Sequence, residues 1–362
     1  MERNLQRLAA RMAGLGVALR PHLKTCKSVE VAQCMMVSRA GPATVSTLRE
    51  AEEFAAAGVR DMTYAVGISP HKLDRVIALR AQGVDLSVIL DSFEQAEAVA
   101  ARSRAYGLPI PALIEIDADG HRAGVRPGAP ELLRAIGELL ASRGAELRGV
   151  LTHAGASYHA HGASALEQAA EGERAAAVAA AAVLRSAGLP CPVVSVGSTP
   201  TAHFARHLEG VTEVRAGVYA FFDLVMAGLG VCGLDDIALS VLATVIGHQP
   251  NQNGGWTLTD AGWMALSRDR GTAAQAVDQG YGLVCDLAGQ PLGELIVGEA
   301  SQEHGVLVPR PGSVAPAPPL PLGARVRILP NHACATAAQF DRYHVLNGTP
   351  AVEALWPRFN GW

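Results

Sequence analysis

Lys24 stands in the run Arg20-Pro21-His22-Leu23-Lys24-Thr25, between apolar or small neighbours and behind a proline that fixes the approach. A lysine held that way can be desolvated, lose pKa and form a Schiff base with a carbonyl, although most lysines lie at the surface. Gly197-Ser198-Thr199 has the make-up of an anion cradle. Its small residues let backbone N–H groups face a phosphate, and two hydroxyls add donors. The plainer reading is a strand-to-helix turn with Thr199 as N-cap. Gly217 and Tyr219, at the end of the following strand, favour the cradle, because the loops after the last two strands of a parallel barrel commonly hold phosphate. His332-Ala333-Cys334 is an i, i+2 pair. In an extended segment both side chains face one way, and imidazole with thiolate suits a borderline-soft divalent ion. A buried histidine beside an inert cysteine is the commoner arrangement of such a pair.

These residues need a scaffold that brings distant segments together. Candidate strands recur at Val17–Arg20, Thr44–Leu48, Met62–Val66, Leu86–Leu90, Ala112–Ile116, Arg148–Thr152, Val193–Val196 and Glu213–Arg215. Between them, helical spacing runs over Pro70–Gln82, Phe93–Tyr106, Pro130–Arg143, Leu166–Ala187 and Thr201–Glu209. Eight strands alternating with helices predict a closed parallel α/β barrel, (β/α)8, over residues 1–227. From residue 228 the helical period gives way to runs broken by Gly, Pro and Asn: Ile237–Ile246, Trp256–Thr259, Gly282–Cys285, Leu295–Val297 and Arg325–Leu329. They predict a mostly β domain over 228–362, with Pro309–Pro321 as a surface loop. The strand ends of the barrel also deliver Glu115, Asp117, His121, Arg122, His153, Ser157, Tyr158 and Arg215 to one mouth. His71, His203, His207 and His248 read as surface or core residues, His159 and His161 as a solvated loop, and Gly228-Leu229-Gly230 as a bend.

Composition sets the outer limits. Of 362 residues, 49% are apolar and 18% charged, enough to bury a full globular core. A net charge of −4 gives no basic field for nucleic acid or an anionic membrane. The longest apolar stretches, such as Ala175 to Leu184, fall short of the roughly 20 residues of a membrane span. No secretory signal is visible, and the six scattered cysteines suit reduced thiols in the cytoplasm.

Together the motifs resemble the D-threonine aldolase and D-serine dehydratase family, fold-type III pyridoxal-phosphate enzymes with an alanine-racemase-type barrel. The resemblance spans essentially the whole chain. Arg20 through Thr25 with Lys27-Ser28 resembles the cofactor-lysine motif. Glu115-Ile116-Asp117 with Gly120-His121-Arg122 resembles the strand and arginine beside the cofactor ring. Thr152 through Gly155 with Ser157-Tyr158 resembles the ring-facing segment, Gly197-Ser198-Thr199 the phosphate loop and Pro330 through Cys334 the metal motif. Gln302 through Gly305 is similar to a further block near the metal. Within the family, Val211–Met226, Leu239–Gln249, Ala261–Met264, Ser267–Thr272 and Leu329–Phe340 are most similar to bacterial D-threo-3-hydroxyaspartate dehydratases. Cys26 departs from relatives that carry histidine or a small residue there. Relatives also carry a further stretch with a strand ahead of the first helix, so a trimmed or late-assigned start is expected.

The resemblance implies pyridoxal 5'-phosphate bound as a Schiff base on Lys24, with His22, Arg122, His153, Tyr158, Gly197, Ser198, Thr199, Gly217 and Tyr219 around it. It implies a divalent metal (Zn, Mn or Mg) on His332 and Cys334 that activates the 3-hydroxyl of a small D-amino acid. Dehydration to an oxo acid and ammonia is the expected outcome, from D-threo-3-hydroxyaspartate or D-serine-like substrates. The alternative is retro-aldol cleavage to glycine and an aldehyde. A non-catalytic cofactor carrier is a third reading, opposed by the second domain and its metal motif. A homodimer is expected, each β domain closing its partner's barrel mouth.

Overall fold

The computed structural model describes residues 1–120, 122–249, 255–314 and 317–362. They divide into two compact units, Leu5–Gly217 with Gly361–Trp362, and Met1–Asn4 with Val218–Asn360.

The first unit is an eight-stranded parallel sheet: β1 (Ala18–Leu19), β2 (Ala43–Val45), β3 (Asp61–Gly67), β4 (Asp85–Leu90), β5 (Pro111–Ile116), β6 (Glu146–Thr152), β7 (Val193–Val196) and β8 (Glu213–Val214). The order is β1-β8-β7-β6-β5-β4-β3-β2. Strands covered by helices on one face and packed against each other on the other become continuous apolar runs. Accordingly β5 is buried along its whole length. The seam between β1 and β2, the two ends of this order, is closed beyond β1. His22 bridges Thr44 in parallel, Leu23 N–H donates to Thr44 O (2.9 Å), and Thr44 N–H donates to Pro21 O (2.8 Å). The segment leading to Lys24 is therefore part of the barrel wall.

Local chemistry sets the helices. Thr47 and Ser92 cap Leu48–Ala56 and Phe93–Tyr106 by accepting from Glu50 and Gln95 N–H, and Gly107 ends the second in the left-handed conformation. The helix expected over Thr201–Glu209 instead spans Thr199–Phe204. Ser198, not Thr199, is its N-cap, and Pro200 occupies the first turn, where a missing N–H costs nothing.

The second unit holds a closed antiparallel barrel of β9 (Val241–Gln249), β10 (Trp256–Thr259), β11 (Gly282–Cys285), β12 (Pro291–Ala300), β13 (Gly305–Pro309) and β14 (Arg325–Pro330), ordered β10-β13-β12-β11-β14-β9. Its core is Val241, Ala243, Val284, Val297, Leu307, Val326 and Ile328. A hairpin, β15 (Arg342–Leu346) and β16 (Val352–Pro357), follows. Strand β13 and the hairpin were not expected. Both hairpin strands alternate exposed and half-buried residues, a weak period-2 signal, and Asn347-Gly348 marks the turn between them. Residues 310–314 and 317–321 lie outside strands, as expected for the proline-rich loop; 315 and 316 lie outside the described residues. No described helix is long and apolar enough to cross a membrane.

Candidate active site

Past β1 the chain buries Leu23, Thr25 and Cys26 and leaves Lys24 exposed. The expected desolvation of Lys24 is thus absent in this chain alone, because the alternating backbone spends its inward positions on Leu23 and Thr25. Gly217 makes room for this segment. A Cβ there would lie 2.7 Å from His22 O and 3.3 Å from Thr25 Oγ1, so no larger residue fits without displacing backbone.

Burial and three nearby cations act on the histidines of the mouth. Burial first, then the charges of Lys24 and Arg215 and the neighbouring His153, press His22 well below the ordinary histidine pKa. Burial lowers His153 to about 3, against the raising effect of its bond to Gly197 O, with Lys24, Arg122 and Arg215 adding to the fall. The His153 Nδ1 to Gly197 O distance is 2.9 Å, so Nδ1 carries the proton and Nε2 keeps its lone pair. Tyr158 lies beside it, ring centroids 6.3 Å apart and tilted 46°. Lys24, His22, His153, Arg122 and Arg215 thus share one electrostatic neighbourhood. Arg122 itself is exposed and stands 3.8 Å from Glu115, whose pKa burial raises. His121 lies outside the described residues.

A pH dependence follows. Both histidines titrate lower in the folded chain than near 6.5 in the unfolded one, so below that pH the unfolded state binds more protons. Their contribution is complete above about pH 6.5 and declines as pH falls, for His153 until about pH 3. The cofactor-free chain should lose up to about 1.4 kcal/mol per pH unit for each histidine over this window, less where water reaches the ring. Urea unfolding of the wild type and His153→Asn across the window measures it. Equal slopes in the two would show that His153 does not contribute.

The phosphate-loop residues meet at the ends of β7 and β8. Gly197 has φ 138°, and a Cβ there would sit 2.1 Å from Arg215 O. Only glycine allows these two strand ends to approach so closely. Two expected donors are already occupied: Gly197 N–H donates to Glu173 (3.0 Å) and Ser198 N–H to Thr201 Oγ1 (3.0 Å). Thr199 Oγ1, by contrast, is buried without a hydrogen-bond partner among the described residues. A buried hydroxyl is rarely left so, and an anionic oxygen would satisfy it. The cradle fits a phosphate through Thr199.

In the second unit His332 and Cys334 are brought together, though not as two residues of one strand. His332 is the extended N-cap of a short helix, Ala333–Ala337, so Cys334 is helical. A turn reverses direction quickly enough to place both side chains on one side, and the two hydrogen-bond each other. Asp223, fully buried and 110 residues before Ala333, organises them. Its Oδ1 accepts Met226 N–H (3.0 Å), and its Oδ2 accepts Ala333 N–H (2.9 Å) and lies 3.2 Å from His332 Nδ1. Burial pushes the His332 pKa down, but the Cys334 thiolate and the Asp223 carboxylate carry it up to about 11. A carboxylate on Nδ1 fixes the tautomer that presents Nε2 to a metal. No group of three or more His, Cys, Asp or Glu among the described residues could hold a metal. The donor set is therefore an imidazole and a thiolate with open positions, which fits a borderline metal that also binds water or substrate. Tyr219, fully buried in the turn Val218–Ala220, belongs to this second unit too. Arg268 stacks on Trp263 at 4.2 Å, and Arg270 pairs with Asp278 at 2.8 Å.

Two residues with structural claims on the site, Asp223 and Glu173, escaped the sequence reading, and a third, Arg215, was expected at the mouth but not as a buried brace. Asp223 gives no local signal of its link to Ala333, 110 residues further on. Glu173 sits on the buried alanine face of Ala163–Ser186, beside Ala170 and Ala177, where an acidic residue is out of place. Arg215, fully buried, donates to Ser195 Oγ and Thr152 O, each at 2.6 Å. Burial lowers its pKa to about 10, against the raising effect of Glu213, Glu173 and Glu115.

Comparison with known proteins agrees with this architecture. Residues 1–225 match the alanine racemase N-terminal domain, and residues 238–346 match a putative serine dehydratase domain. The D-threo-3-hydroxyaspartate dehydratase of Delftia sp. (strain HT23) is 55% identical over 100% of this chain and 95% of its own. The solved structure of that enzyme has a TM-score of 0.95 at 54% identity, covering 100% of this chain and 95% of that one. A cysteine-to-alanine mutant of D-threo-3-hydroxyaspartate dehydratase has been solved in the metal-free form. The D-threonine aldolase of Arthrobacter sp. is 29% identical over 98% of this chain and 88% of its own. The chain belongs to the family that joins an alanine-racemase-type barrel to a serine-dehydratase domain, the family of the D-threo-3-hydroxyaspartate dehydratases.

Proposed function

We propose that this chain is a pyridoxal-phosphate- and divalent-metal-dependent dehydratase that converts D-threo-3-hydroxyaspartate to oxaloacetate and ammonia. The observation that carries this reading is the end-to-end 55% identity to a dehydratase of that substrate. The Asp223-His332-Cys334 arrangement supports the metal.

When bound, the cofactor supplies an electron sink for charge at Cα, and the metal supplies a Lewis acid for the leaving hydroxyl. Lys24 holds the cofactor and, as a free amine, takes the α-proton. Thr199, with Gly197 and Ser198 and with Gly217 on the neighbouring strand end, would hold the phosphate end, and Tyr219 is a further proposed cofactor contact. His22, His153, Tyr158 and Arg122 line the ring. His153 is kept neutral there, so it adds no charge beside the ring. His332 and Cys334 hold the metal, and Asp223 fixes the His332 ring. Arg268, Arg270 and His304 are the candidates for meeting a β-carboxylate: Arg268 stacks on Trp263 through the face of its guanidinium, and Arg270 is already paired with Asp278.

Incubation with D-threo-3-hydroxyaspartate should yield ammonia and an oxo acid, and D-threonine should be turned over more slowly. The aldolase reading rests on the 29% identical relative. Glycine and an aldehyde as dominant products would establish that reading instead. We also propose a homodimer in which each β domain closes the partner's barrel mouth. A fully active monomer by light scattering at assay concentration would remove this part.

A further inference from the structure

Lys24 rides on a single turn whose two ends are gripped by one stretch of chain, β2 with the start of the helix Leu48–Ala56. At the near end Leu23 N–H donates to Thr44 O (2.9 Å). The turn then closes on itself: Leu23 O accepts Lys27 N–H (2.9 Å) and lies 3.3 Å from Cys26 Sγ. Leu23, Thr25, Cys26 and Ser28 are fully buried, and Lys24 is exposed. From Ser28, its N-cap, the chain enters the helix Val29–Met35.

The residue that closes the turn is held against its own preference. Lys27 has φ 43°, in the left-handed region that suits glycine, where a Cβ crowds the following carbonyl. Such a conformation persists only where the surroundings impose it. Lys27 Nζ lies 3.2 Å from Oε1 of Glu50, whose side chain is fully buried. Glu50 follows the N-cap Thr47 by three residues, the ordinary place for an acidic residue that helps to cap a helix. Capping accounts for the bonds it accepts from Ser46 N–H (2.8 Å) and Ser46 Oγ (2.7 Å). It does not account for complete burial, which a charge tolerates only beside a partner. Lys27 supplies that partner, and the pairing fixes the end of the turn.

We infer that Lys27 and Glu50 are positioning residues: their ion pair clamps the left-handed residue that closes the turn, and so fixes where the Lys24 amine is presented. They act through the backbone of the turn. Thr44 holds its beginning and Glu50 its end, so Lys24 stands between two anchors on the same neighbouring segment. A held amine meets its carbonyl partner in a narrow range of orientations, which is what speeds a bond-forming encounter. The clamp itself follows from the geometry of the turn. Its consequence for cofactor attachment rests on the function proposed above.

Lys27→Met and Glu50→Gln each remove one charge of the pair. In the cofactor-free protein, hydrogen exchange of the amide at position 27, the donor to Leu23 O, should speed up about tenfold in both after correction for intrinsic rates. Covalent capture of added pyridoxal phosphate by Lys24 should slow about ten- to a hundredfold, read by borohydride reduction and peptide mass spectrometry. A pair that only stabilised the fold would lower the thermal midpoint and leave that rate alone. Lys27→Arg keeps the charge and should capture the cofactor within about threefold of the wild-type rate. If a single variant fails to fold because it leaves a buried charge unpaired, the double variant leaves none and should show the same two changes, no larger than either single one. Capture within about twofold of wild type in the folded charge-removing variants, or unchanged exchange at position 27, overturns the inference. A wild type whose Lys24 captures no cofactor refutes the functional proposal, and faster exchange in the variants then leaves the clamp standing.

Discussion

Lys24→Ala should abolish turnover and the visible absorbance of lysine-bound cofactor, leaving the fold unchanged. The fold is spared because Lys24 is exposed, whereas Leu23 and Thr25 on either side fill buried positions. Losing a positioned general base by itself lowers rate roughly a hundred- to ten-thousandfold. The loss of covalent attachment adds to that, so activity should be undetectable in ordinary assays. Circular dichroism and the thermal midpoint of the cofactor-free variant should match wild type. Added amines that replace the missing base should recover part of the rate. A variant with near wild-type turnover would show that another group carries the chemistry.

His332→Ala or Cys334→Ala should remove activity that excess divalent metal does not fully restore, with the cofactor still bound. Each change deletes one of two protein donors. Cofactor retention is expected because both donors lie in the second unit, whereas Lys24 and the cradle around Thr199 lie in the first. Asp223→Asn is the graded version. The amide oxygen can still cap Met226, but its N–H₂ would face His332 Nδ1 and Ala333 N–H, setting donor against donor. Metal affinity should fall about 10- to 100-fold, the usual effect of losing the carboxylate behind a ligating histidine. A buried clash of this kind also costs about 1–3 kcal/mol, so the thermal midpoint should drop in the absence of metal too. Competition with a chromophoric chelator gives the affinities. Wild-type affinity in both His332→Ala and Cys334→Ala would move the metal elsewhere.

What the sequence determined by itself was most of what carries a strong short repeat, the weakly alternating hairpin β15–β16 being missed. Helical spacing over Phe93–Tyr106 and the apolar run Val193–Val196 match the structure residue for residue, because a helix or buried strand answers to neighbours within a turn or two. The eight-fold alternation predicted the barrel for the same reason, and the β-rich remainder predicted a second, mostly β domain, whose antiparallel pairing only the structure supplies. Lys24, the Gly197-Ser198-Thr199 loop and the His332–Cys334 pair were legible because their chemistry is written in adjacent residues. Tertiary structure decided the partners. Asp223 reaches Ala333 across 110 residues, and Glu173 ties Ala154 to Gly197 from the middle of an alanine-rich helix. Gly217 is required by the backbone of His22, and the barrel seam is made by Pro21–Leu23 rather than by β1. A helix start, not a strand, brings Cys334 to His332. Such contacts leave no local period, because a hydrogen bond between residues far apart in the chain constrains each of them only once the fold has made them neighbours.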